Sequence, residues 1–119
     1  MAAILIVEGD LVVAQQLDTL LWRWGYQARM ARDAGQALAA VSESRPAAIV
    51  VEVDLDGLDG LQLTRALKSE AATREIPVIA LSAADRGQEA VAAGCAGFVR
   101  RPLDSYRLLA LLRILAPIG

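Results

Sequence analysis

The stretch "IVVEVDLDGLDG", residues 49–60, sets an apolar run against four carboxylates, Glu52, Asp54, Asp56 and Asp59, in a turn marked by Gly57 and Gly60. A short continuous apolar run bounded by turn residues is the pattern of a strand buried on both faces, as in a parallel sheet covered by helices. The charge at the end of this most buried strand is what any reading of the protein must explain.

Working outward, Pro46 breaks the chain before the strand, which is expected over Ala48 to Val53, and a helix is expected from Leu61 to Ala71. Upstream, residues 3–7 form a second apolar run. Val13, Leu17, Leu20, Leu21 and Trp24 then recur at helical spacing until Gly25. A weaker strand, Tyr26 to Ala31, precedes a helix from about Ala34 to Ser42. Downstream, Pro77 opens a strand over Val78 to Leu81, a short helix covers Arg86 to Ala93, and Gly97 to Arg100 forms a last strand. Asp104 caps a final helix that Pro117 ends.

Five strands alternating with five helices specify a parallel sheet covered on both faces, a doubly wound α/β fold. Sites in such sheets lie beyond the carboxyl ends of the strands, where strand order reverses. The residues there are Glu8, Glu52, Ser82 and Arg101, and they are expected to converge.

At 119 residues the chain is read as a single domain, 1–119. With 55% hydrophobic residues and a net charge of −2 it is neither disordered nor a polyanion binder, so no nucleic-acid partner is expected. Its apolar runs fall far short of the roughly 20 residues that cross a bilayer, and the start lacks a basic secretory region. A cytoplasmic location and no membrane partner are expected. Cys95 stands alone and there is no histidine, which excludes a Cys-His or Ser-His nucleophile and leaves Cys95 as a small buried residue. No Gly-rich loop follows the first strand, so a flavin- or nucleotide-binding enzyme is disfavoured.

Five segments in order, "ILIVEGD" (4–10), "GYQARMARDAGQAL" (25–38), "RPAAIVVEVDLDGLDGLQL" (45–63), "IPVIALSA" (76–83) and "AGCAGFVRRPLD" (93–104), resemble the receiver domain of bacterial response regulators, the CheY-like family. The resemblance covers nearly the whole chain. It implies a (βα)5 flavodoxin-like fold with strand order 2-1-3-4-5. It also implies a phosphorylatable Asp after the third strand, two acids holding Mg²⁺ after the first, a Ser or Thr that contacts the phosphoryl group, and a Lys that neutralises it.

Several of those positions depart from the family pattern. Glu52 stands at the phosphoacceptor position, Glu8 and Gly9 at the acidic pair, Ser82 at the hydroxyl and Arg101 at the Lys. Asp56 stands where Pro is usual, and the stretch from Ala83 to Ala93 is short, which should truncate the fourth helix. A glutamate carboxylate lies about 1.5 Å further out than an aspartate's. A misplacement on the order of 1 Å can cost about a hundredfold in rate. Gly9 removes a metal ligand, so no resident cofactor is expected, although Glu8 and Glu52, with Asp10 and Asp54 completing an acidic pocket, leave room for weak Mg²⁺ binding. Arg101 offers a fork that matches a carboxylate, and a standing Glu52–Arg101 ion pair is expected.

The resemblance also implies a partner-binding face made by the fourth helix, fifth strand and fifth helix, with the strand-five aromatic, here Phe98, as a switch. On the last helix Leu108, Leu109, Leu112 and Leu115 share one side, while Ala110, Leu111 and Ile114 lie beside or opposite it and are candidate contacts. Trp22 on the first helix is a further candidate. The sequence thus reads as a degenerate, non-enzymatic pseudo-receiver that docks a signalling protein (a kinase, phosphotransfer or output protein) or a second copy as a homodimer, independently of phosphorylation. The alternative is a working receiver phosphorylated on Glu52, or on Asp54, with Mg²⁺.

Overall fold

A computed structural model describes residues 2–55 and 59–118, so Asp56, Gly57 and Leu58 of the opening stretch, and the expectation placed on Asp56, lie outside the described residues. The elements run β1 (Ala3–Val7), α1 (Leu11–Arg23), β2 (Gln27–Ala31), α2 (Ala34–Glu43), β3 (Ala48–Glu52), α3 (Gly60–Ser69), β4 (Val78–Ser82), α4 (Gly87–Ala93), β5 (Gly97–Arg100) and α5 (Ser105–Leu115). All strand pairs are parallel, in the order β2-β1-β3-β4-β5.

Aspartates start four of the helices. Asp10, Asp33, Asp59 and Asp104 each accept backbone N–H bonds that the first helical turn would otherwise leave unpaired. Asp59 adds a capping box with Gln62. α4 has no such side-chain cap from the residue before it, Arg86, and stops where Gly94 turns left-handed at φ 104°. At seven residues α4 is the shortest of the five helices, as the short 83–93 stretch implied.

The period-two alternation of each strand sorts its side chains onto two faces. Leu5, Val7, Ile49, Val51, Val78 and Ala80 pack under α2, α3 and α4. Ile4, Ile6, Val50, Ile79, Leu81 and Val99 pack under α1 and α5. Each fully buried Val, Leu or Ile contributes about 1.5–3 kcal/mol. The two apolar layers therefore dominate the folding energy, and the charged end of the sheet is left to do something else.

Leu111 departs from the expectation that it offers contact surface. It is half-buried in the α1/α5 layer, and its side chain fills the space over Gly97 where a Cβ would collide with it. A helical wheel treats the underlying strand as uniform, whereas Gly97 leaves a hollow that draws Leu111 inward. Ala110 and Ile114 do face solvent, Ile114 with 76% exposure. Phe98 is half-buried, packed against the α2/α3/α4 layer and against Gly87.

Candidate functional site

The chain passes from β1 to β2 on one side and returns to β3 on the other, so the order reverses between β1 and β3. In the register of that pair Val7 lies opposite Val51, which sets the next residues, Glu8 and Glu52, side by side at the strand ends. Neighbouring strands lie about 4.8 Å apart. Two ionised carboxylates at roughly that separation repel by about 3 kcal/mol at an effective dielectric of about 20. Such a pair needs either a cation or a proton.

Arg101 supplies the cation. Its backbone N–H donates to Ser82 O at 2.8 Å, which fixes it just past β5, two strands away from β3. The side chain crosses the end of β4 so that Nε donates to Glu52 Oε2 at 2.9 Å, while Nη2 lies 3.6 Å from Glu8 Oε2. The expected Glu52–Arg101 pair is thus present, and Glu8 joins it. The second contact is too long for a hydrogen bond. Among the described residues, neither Glu8 Oε2 nor Arg101 Nη2, both buried, has a hydrogen-bond partner.

Burial controls the titration of both acids. Glu8 is pushed up to about 7, chiefly by desolvation, with Arg101 pulling it down and Glu52 and Asp10 adding to the rise. Glu52 is raised for the same first reason, against the opposing charge and hydrogen bond of Arg101.

The other expected pocket acids go elsewhere. Asp10 caps α1, its Oδ1 accepting from Val12 N at 2.9 Å and Val13 N at 3.4 Å, while its charge still reaches Glu8. Asp54 faces outward with its side chain 58% exposed. Ser82 Oγ, expected beside the Glu52 position, donates to Asp54 Oδ2 at 3.4 Å and accepts from Ala84 N at 3.1 Å. Glu8, Glu52 and Arg101 therefore converge, whereas Ser82 and Asp54 form a separate contact at the mouth.

Arg86 organises that mouth, and the sequence reading gave it no role there. Its guanidinium meets Asp54 at 3.4 Å, Asp59 at 3.2 Å and Glu89 at 2.8 Å, tying the β3–α3 connection to α4. The bond from Arg86 holds the Glu89 carboxyl below its ordinary range. A lone cation in the segment after the hydroxyl strand, facing a loop with an excess of acids, was the signal available. Gly60, legible only as a turn residue, has a second role: a Cβ there would strike the Glu52 carbonyl oxygen, so α3 can start this close to the site only with glycine.

These side chains do not fit a Mg²⁺ ion. The two carboxylates that would meet it already share a guanidinium, and Gly9 offers no oxygen from a side chain. Among the described residues, no group of three or more His, Cys, Asp or Glu side chains could hold a metal.

Strand order, the acid pair at the switch point and the cation after β5 define the receiver class of signalling domain. The chain belongs to that family: the model of the response regulator receiver domain matches residues 4–113. It is 35% identical over 115 residues to the response regulator MprA of Mycobacterium sp. (strain KMS), covering 94% of this chain and 49% of that protein. The chain thus spans about half the length of the curated relatives it matches. Among solved structures, a response regulator from Chloroflexus aurantiacus superposes with a TM-score of 0.91 at 26% identity, covering 96% of each chain. The receiver domain of a sensor histidine kinase from Pseudomonas aeruginosa, solved with a magnesium ion coordinated in its active-site cleft, superposes with a TM-score of 0.86 at 27% identity, covering 96% of each chain. Receiver domains are signalling modules of two-component systems, working with kinases and output proteins. No described helix is long and apolar enough to cross a membrane.

Proposed function

We propose that this receiver domain is a degenerate one, acting as a docking module in a two-component-type pathway without being phosphorylated and without catalysing a reaction. The observation that carries this reading is the 2.9 Å bond from Arg101 Nε to Glu52 Oε2. The carboxylate at the phosphoacceptor position is held by an intramolecular cation, is 13% exposed, and is one methylene longer than the residue that in-line attack requires. The negative-to-positive contact that phosphorylation adjusts in a working receiver is here a permanent part of the fold.

Docking is assigned to the face of α4, β5 and α5. Val91, Tyr106 and Ile114 are 70%, 85% and 76% exposed there, with Ala110 exposed between the last two. Its partner is a kinase, a phosphotransfer or output protein, or a second copy. Trp22 on α1, 71% exposed, is a second apolar contact outside that face.

A second reading, a receiver phosphorylated at Asp54, has one observation in its favour. Asp54 has a hydroxyl, Ser82, and a guanidinium, Arg86, on its two carboxylate oxygens. Intact mass after incubation with acetyl phosphate and Mg²⁺ separates the readings, with an ordinary receiver domain as positive control. The expected result is an unmodified chain beside a modified control. A labile adduct that disappears in Glu52→Gln or in Asp54→Asn would name the working acceptor and defeat the docking-only reading.

A further inference from the structure

We propose that Arg101 is the resident cation of the Glu8–Glu52 pocket, and that these two carboxylates become a divalent-cation site only when its guanidinium is removed. The register of β1 and β3 forces the two acids together whatever follows β5, so the pocket holds two carboxyl groups by construction. Arg101 answers one of them with a hydrogen bond and the other only through space, at 3.6 Å. Among the described residues, Glu8, 6% exposed, keeps an oxygen without a hydrogen-bond partner, 3.6 Å from an Arg101 Nη2 that has none either. Hard divalent cations select such oxygens, but a fixed guanidinium between them repels the ion and occupies its space.

The register of β4 and β5 keeps Arg101 where it is. Ser82 pairs with Arg100, and the next backbone bond, Arg101 N to Ser82 O, points the side chain back across β4. Displacing the guanidinium would expose both carboxylates unpaired in a poorly solvated site, so the ion pair closes the pocket rather than decorating its rim. Gly9 is a separate matter. A Cβ there would meet only Arg32 O, at 3.5 Å, so a side chain is tolerated and its absence leaves space rather than a barrier.

The test is Mn²⁺ binding followed by electron paramagnetic resonance on the intact chain, titrated to on the order of 1 mM, the weak end of protein cation sites. The native chain is expected to show no saturable binding. Arg101→Met is expected to show saturable binding within that range. Glu8→Gln added to Arg101→Met should abolish that binding. Gly9→Asp, which adds a carboxylate but leaves Arg101 in place, is expected to gain nothing.

Saturable binding by the native chain that Glu8→Gln removes overturns the proposal. So does a gain in Gly9→Asp, which would make the missing carboxylate the barrier, or a folded Arg101→Met that gains nothing. If circular dichroism shows that Arg101→Met does not fold, the native chain and Gly9→Asp decide alone: binding by either refutes, and its absence in both supports. The inference rests on the reading of the pocket as closed, yet the two fail separately. A chain that binds Mn²⁺ but takes up no phosphoryl group refutes only this inference, and one that is phosphorylated without binding Mn²⁺ refutes only the docking-only function.

Discussion

Glu8 is a buried acid with half a partner, and its titration should be visible in stability. Its carboxyl goes from an ordinary value of 4.5 in the unfolded chain to about 7 in the folded one. Between those values the folded chain holds a proton that the unfolded chain has released, so stability is highest at the acid end of the window and falls as pH rises through it. Glu52 is shifted in the same direction and adds to the fall. The urea midpoint should therefore drop between about pH 5 and about pH 7.5, and Glu8→Gln, which cannot ionise, should flatten the profile. An unchanged slope in Glu8→Gln would mean that Glu8 titrates normally. Arg101→Ala should steepen the profile, because it removes the charge that lowers both acids.

At the scale of elements, the start of α3 is where backbone packing meets the site. Gly60 N donates to Val53 O at 2.7 Å, and any Cβ on residue 60 would press on the Glu52 carbonyl. Gly60→Ala is expected to cost about 1–3 kcal/mol, read as a lower urea midpoint at an unchanged slope. α5 offers the opposite contrast between its two sides. Leu112, fully buried between the helix and the sheet, should cost about 2–5 kcal/mol when cut to alanine. Ile114→Ala, two residues on and exposed, should change stability by less than about 0.5 kcal/mol. If Ile114→Ala instead destabilised the chain substantially, Ile114 would belong to the core and could not serve the docking face.

For the molecule as a whole, what the sequence made legible was whatever follows from local spacing. Apolar runs at 3–7, 48–51 and 78–81 read as buried strands, and Asp104 read as the cap of the last helix. The pairing of Glu52 with Arg101 was legible because both sit at strand ends of one sheet, where topology brings distant residues together. Other features depended on distances between segments that no spacing encodes. Arg86 finds Asp54 and Asp59 across 32 and 27 residues, and the turning of Ser82 toward Asp54 is a rotamer choice. Asp10 was ambiguous in principle, since an acid one residue before a helix and three after a strand serves equally as cap or ligand. Leu111 was misplaced because a helical wheel contains no information about the glycine beneath it.

The two tryptophans at the end of α1 extend this contrast between inside and outside into optics. Trp22 stands in solvent, while Trp24, two residues later, is half-buried, with its carbonyl bound by Arg113 of α5. Their emission is the sum of a red, readily quenched indole and a sheltered one. Acrylamide should therefore give a downward-curving quenching plot, and a ligand seated over α1 should straighten it by shielding the accessible component. The protein carries its own two-colour reporter, one channel for what lands on α1 and one for whether the end of α5 stays closed against it.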